Sequence, residues 1–120
     1  MAESRPEEAL ALLDAGIQAA RESDQPEHAA ELARHAGVIS EHLGDLDRTL
    51  GYYDEALRAH PDDELLHLAR AGILERLAQH GEAEGAFAEA ERLARKKGNL
   101  DVASAAASGW ERLRSEIDKQ

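Results

Sequence analysis

Residues 30–63 read AELARHAGVISEHLGDLDRTLGYYDEALRAHPDD. Small and apolar residues return every three or four positions through the first half, at Ala33, Ala36, Ile39 and Leu43, continuing a run that begins at Ala29 and Leu32. They return in the same way through the second half, at Leu46, Leu50, Tyr53 and Leu57, with Ala56 beside them. That spacing is helical. Gly44-Asp45 separates the halves, because glycine closes a helix in left-handed backbone and an acid suits the first turn of the next. His60-Pro61-Asp62 ends the second half and starts another helix. A turn this short makes the two helices antiparallel, and each has one apolar face that needs a partner.

The same punctuation extends in both directions. Breaks at Asp24-Gln25-Pro26, Gly44-Asp45, His60-Pro61-Asp62, Gly81-Glu82 and Gly98-Asn99 divide the chain into six helical segments. The first carries Leu10, Leu13, Ile17 and Ala20. The fourth carries Leu65, Leu66, Leu68, Ala69, Ile73, Leu74 and Leu77, and the fifth Ala83, Ala86, Phe87, Ala90, Leu93 and Ala94. Ala103, Ala106, Trp110, Leu113 and Ile117 form the stripe of the sixth. Acids gather in first turns and bases in last turns, which complements the helix dipole and accounts for much of the charge pattern. Tyr53 and Phe87 fall in core stripes, whereas Tyr52 lies beside its stripe and is expected to be half exposed.

Composition narrows the class. Alanine supplies 24 of the 120 residues and leucine 16, against six valines and isoleucines together, so an all-β domain is excluded. A chain of this length is expected to form one domain. There is no cysteine, hence no disulfide, thiolate nucleophile or thiolate metal site. The net charge of −11 disfavours nucleic acid, whose binding depends on neutralising phosphates, and disfavours anionic membranes equally. Met1-Ala2-Glu3-Ser4-Arg5-Pro6-Glu7-Glu8 is too polar for a signal peptide. The longest apolar run, Ala9 to Leu13, is far shorter than the ~18 residues of a membrane span. A cytoplasmic protein is expected, and the excess of alanine and arginine suggests a GC-rich bacterial genome.

Two-helix units recur. Gly37, Gly72 and Gly109 each follow a small residue and precede an apolar one, at separations of 35 and 37. Gly44-Asp45 and Gly81-Glu82 lie 37 apart, and Leu32-Ala33-Arg34 is echoed by Leu68-Ala69-Arg70. A helix-pair period in the mid-thirties indicates an α-solenoid. On these residues the chain resembles the tetratricopeptide repeat (TPR) family. Gly37, Tyr53, Ala56 and Pro61 match that pattern in type, whereas Ala33, Ala36, Ser40 and Thr49 depart from it. The resemblance implies an all-α, TPR-like solenoid of about six antiparallel helices, roughly three pairs. Residues 1–25 form a half-repeat, 26–63 the best-matching repeat, 64–98 a second repeat of less certain register, and 99–120 a capping helix.

In that family the first helix of each repeat lines a groove that receives a peptide or helix of another protein. The resemblance places Glu31, Arg34, Val38 and Glu41 in the groove, with Leu68, Ile73 and Glu75 in the next repeat. Helical geometry isolates Val38 independently, because it points roughly 160° from Ala36 around the helix. Such a residue is incidental, packs on a neighbouring helix, or marks the groove. Trp110 either packs as a cap on the fifth helix or faces the groove. Relatives that clamp a C-terminal carboxylate use lysines and asparagines on these helices. Here the single asparagine, Asn99, lies in a loop and Val38 occupies a key asparagine position, so that mode is disfavoured.

Catalytic and metal signatures are weak. His28, His35 and His42 lie seven apart, about 10.5 Å along a helix, whereas zinc ligands sit about 2.1 Å from their ion. His42, His60 and His80 are read as helix C-terminal residues. No phosphate loop, HExxH or GxSxG is present. The expectation is a non-enzymatic protein-interaction module with no cofactor or metal. The alternative is a homo-oligomer joined through exposed apolar faces, with Trp110 or Ile17 at the seam.

Overall fold

The computed structural model describes residues 4–119, so the opening Met1-Ala2-Glu3 lies outside the described residues. Six helices follow in order: α1 (Ser4–Glu22), α2 (Pro26–His42), α3 (Leu46–Ala59), α4 (Glu64–Arg76), α5 (His80–Lys97) and α6 (Leu100–Asp118). Their starts are chemically marked. Pro26 opens α2; Asp45 accepts from the Arg48 amide at 3.3 Å, and Asp63 from the Leu65 and Leu66 amides at 3.0 and 3.1 Å. Asn99 caps α6 through the Val102 amide at 3.3 Å. Each cap satisfies amides that the first helical turn leaves without partners. Among the described residues, no helix is long and apolar enough to cross a membrane. The chain forms two compact units, the first closing at Pro61 and the second opening at Asp62.

In the first unit α1 and α3 both pack on α2. Its core is built mainly from small side chains: Ala29, Ala30, Ala33, Ala36 and Gly37 of α2 meet Leu10, Ile17 and Ala20 of α1 and Tyr52, Tyr53 and Ala56 of α3. Tyr52 is buried rather than half exposed. Its hydroxyl donates to Asp14 at 2.6 Å, which gives the ring a polar exit and draws it inward. Burial first, then that bond, pushes the phenol above its ordinary pKa. Arg48 reaches Glu7 and Asp14 at 3.3 Å each, and Arg21 pairs with Glu55, so α1 and α3 are tied by polar side chains. Deep between α2 and α3, the Ser40 and Thr49 hydroxyls lie 2.8 Å apart. Gly37 O lies 3.0 Å from Ser40 Oγ and Asp45 O 2.9 Å from Thr49 Oγ1, so one hydroxyl donates to its carbonyl while the other donates across the pair, and neither buried hydroxyl lacks a partner.

In the second unit α5 packs on both α4 and α6. All six residues of the expected α5 stripe are buried. The α6 stripe runs through Val102, Ala103, Ala106, Gly109 and Leu113, one position away from expectation at its middle. Gly109, not Trp110, faces inward because the Phe87 ring occupies the space a side chain would need: a Cβ there would lie 2.6 Å from Phe87 Cζ. Trp110 is consequently 37% exposed, with the Arg114 guanidinium 5.6 Å above its ring.

The two helix pairs repeat at 34 residues, shorter than the spacings of Gly37, Gly72 and Gly109 imply. Gly44 and Ala78 are both left-handed, at φ 79° and 59°. In each turn this residue's amide donates to a carbonyl three back, and the next amide to one five back. Leu43 and Leu77 are the matching C-caps, Tyr53 and Phe87 the matching core rings, and Ser40 and Thr49 correspond to Leu74 and Ala83. The break between α4 and α5 therefore falls at Ala78-Gln79, and Gly81 lies inside α5. His80 opens α5 rather than closing α4. The sequence signal misled because the second turn uses alanine in a conformation that normally selects glycine.

Three stability outcomes follow from these contacts. Ala78→Gly relieves left-handed strain and is expected to stabilise the chain by about 1 kcal/mol, read as a higher urea midpoint. Gly109→Ala is expected to destabilise by about 1–3 kcal/mol through overpacking on Phe87. Gly85→Ala, where a Cβ meets nothing within 4 Å, is expected to stabilise by about 0.5–1 kcal/mol. Equal effects at positions 85 and 109 would refute the close approach.

Candidate functional site

Helix α2 has two faces. Ala29, Ala33, Ala36 and Ser40, spaced four, three and four apart, point into the first unit. Glu27, Glu31, Arg34 and Val38 follow the same spacing on the outward side, and all four are exposed. A branched apolar residue here has nothing to gain from helix propensity, yet Val38 keeps 49% of its surface exposed. An open cleft of about 540 Å³ lies over this face, lined by Glu27, Glu31, Arg34, His35, Val38 and His60. A second cleft continues it toward the start of α2 along Gln25, Pro26, Glu27, His28 and Glu31. The structure thus brings three expected residues, Glu31, Arg34 and Val38, to one opening. The sequence reading missed Glu27, His35 and His60 as its walls; the four-three-four spacing from Val38 back to Glu27 was the available signal.

Glu41 has a different position. It is half-buried and accepts a hydrogen bond from the Tyr53 hydroxyl at 3.4 Å. Burial first, then the Glu41 charge, pushes the Tyr53 phenol above its ordinary value, so the phenol remains a donor.

The expected residues of the second unit do not form such a cleft. Ile73 is 2% exposed and belongs to the core, which corrects its assignment as a groove contact. In the 34-residue register it corresponds to Ile39, and the counterpart of Val38 is Gly72, around which a Cβ would meet nothing. Leu68 packs against Ala94, Val102 and Ala103. Glu75 is held by Arg112 through two hydrogen bonds, at 2.8 and 2.7 Å. Those bonds, opposed by partial burial, hold its carboxyl below the usual carboxylate value. The outward stripe of α4 instead shows Leu65, 53% exposed, in register with Glu31. Among the described residues no three His, Cys, Asp or Glu side chains converge as metal ligands would.

With this geometry, solved structures resemble the chain over nearly its whole length, and two of them are of PcrH. One is the crystal structure of PcrH in complex with the chaperone binding region of PopD, with a TM-score of 0.69 and 19% identity over 98% of this chain and 96% of that one. The other is the crystal structure of PcrH from Pseudomonas aeruginosa, with a TM-score of 0.65 and 19% identity over 95% of each chain. At this identity the likeness is one of fold. No family model and no curated protein matches the sequence. The all-α, TPR-like architecture rests on six helices, helix pairs repeating at 34 residues and this structural likeness.

The Glu75–Arg112 pair gives a pH-dependent outcome. A carboxyl lowered on folding contributes stability above the unfolded pKa, and that contribution is lost as pH falls through the folded value. Glu75→Gln is expected to cost about 0.5–1 kcal/mol at neutral pH. The gap to wild type is expected to close below the ordinary value of 4.5, in urea midpoints taken from pH 7 to pH 3. A gap that does not narrow at all as the pH falls would refute the pairing.

Proposed function

We propose that this chain is a non-enzymatic interaction module that holds a segment of another protein on the outward face of α2, through Glu31, Arg34 and Val38. The observation that carries this reading is Val38: a half-exposed branched residue on a cleft floor, opposite a fully buried stripe on the same helix. The fold likeness to PcrH supports it, since one of those structures holds the chaperone binding region of another protein. We place the protein in a bacterial cytoplasm, a reading supported by its composition.

The homo-oligomer alternative loses one of its proposed contacts, because Ile17 is 5% exposed and committed to the core. Trp110 remains on the surface and would be the seam in that reading.

The test is a quantitative pull-down from the source lysate, with wild type beside Val38→Glu. Position 38 is half exposed, so the variant is expected to stay folded, with unchanged circular dichroism and a stability within about 0.5 kcal/mol. A partner retained by wild type is expected to fall at least tenfold with the variant, equivalent to about 1.4 kcal/mol. Equal recovery of all partners by both would remove the α2 face as the site. Recovery of the chain itself alone, with light scattering above the monomer mass, would favour the oligomer.

A further inference from the structure

The charges around the α2 cleft differ from the paired charges that tie or brace helices elsewhere. Arg21, Arg48, Arg58, Arg92, Arg95 and Arg112 each hydrogen-bond a carboxylate within their own unit. Arg34, by contrast, has no hydrogen bond or ion pair among the described residues, and neither has Glu27 or Glu31. All three are exposed on one stripe, although Glu31 and Arg34 stand at the i, i+3 spacing at which such residues commonly pair. Elsewhere Glu89 and Arg92 do pair at that spacing. The cleft therefore presents two carboxylates without ion-pair partners in the first half of α2, one unpaired guanidinium beyond them, and Val38 past that.

Resting on the reading of α2 as the partner-binding face, we infer that the cleft takes a segment of a partner protein that carries a basic and an apolar residue about three positions apart. A lysine or arginine of that segment meets Glu27 and Glu31, and an apolar side chain meets Val38. Arg34, between them, donates to the segment's backbone carbonyls. Charge complementarity fixes which end of the stripe each side chain meets, since the carboxylates and the apolar contact occupy opposite ends of it. Spacing follows from helix geometry: Glu31 and Val38 are seven residues apart, about 10 Å along the axis, which an extended chain covers in about three residues. The net charge of −11 draws cationic segments toward the molecule in general, whereas Glu27 and Glu31 set two carboxylates without ion-pair partners beside an exposed apolar residue in one cleft.

The test uses the full chain and an array of 12-residue peptides. In each, one Lys, Gln or Glu and one Leu are walked relative to each other in an otherwise Ser/Ala background. The expected result is enrichment of Lys placed about three residues from Leu, by about fivefold over the Gln form. Glu27→Gln/Glu31→Gln is expected to abolish that preference. Asp101→Asn/Glu111→Gln, which removes the same charge from exposed positions on α6, is expected to retain it. Peptides bound through Val38 without regard to charge, lost in Val38→Glu but insensitive to the Glu pair, would overturn this inference and leave the α2 reading standing. Peptides bound equally by wild type and Val38→Glu would sink the α2 reading itself. Loss of the Lys preference in both neutralised variants would show a general field and overturn the site, as would preference for Glu or no enrichment at any spacing.

Discussion

The packing of two aromatic rings against helices that lack a Cβ at the point of contact sets much of this architecture. Tyr53 lies against Gly37, where a Cβ would sit 2.5 Å from Cε1, and Phe87 lies against Gly109 in the same manner. With only four aromatic residues (one Trp, two Tyr and one Phe), the chain has few bulky groups to distribute, and it sets one in the middle of each unit. Alanines fill the remaining contact positions, as at Ala33, Ala36 and Ala56 in one unit and Ala83, Ala90 and Ala106 in the other. Small side chains allow facing helices to approach closely, and interaxial distance follows the residues at the contact. Among the larger aliphatic residues Leu10, Leu74 and Leu113 are fully buried, whereas Leu46, Leu50 and Leu57 are only partly so.

The two units satisfy the same positions with different chemistry. Ser40 and Thr49 form a hydrogen-bonded pair where Leu74 and Ala83 bring hydrocarbon, and all four are fully buried. A buried polar pair is tolerated only when its partners are supplied, and here the carbonyls of Gly37 and Asp45 supply them. The rings differ as well. Tyr53 rests on the glycine of the preceding helix, whereas Ala71 takes the place of that glycine in the second unit and Phe87 rests on the following helix. Spatial equivalence is thus maintained at 34 residues while the glycines themselves are not.

Ion pairing completes the division between structural and available surface. Arginines tie helices together in the first unit through Glu7, Asp14 and Glu55, and in the second through Glu75 and Glu84. Lys97 and Asn99 reach back to Glu64 and hold the end of α5 to the start of α4. These groups are occupied within their own units. On the outward stripe of α2, Glu27, Glu31 and Arg34 make no ion pair among the described residues and Val38 is half exposed, which supports the proposal of a binding face there.

Sequence periodicity sufficed for the number of helices, most of their boundaries and the whole buried face of α5, because these depend on local spacing, caps and turn chemistry. It also isolated Val38, since one helix's geometry places it opposite Ala36 without reference to any neighbour. Periodicity failed where contact across helices decided the result. Ala78 in left-handed backbone concealed the turn after α4, which shifted the repeat and assigned a groove position to Ile73, a core residue. Phe87 selected Gly109 over Trp110 for the inner face of α6, and Asp14 drew Tyr52 inward. Which charges are spent on bridging helices and which remain uncompensated was likewise settled only by tertiary packing, because partners such as Glu75 and Arg112 lie 37 residues apart. Local spacing cannot encode a distance that exists only after the chain has folded.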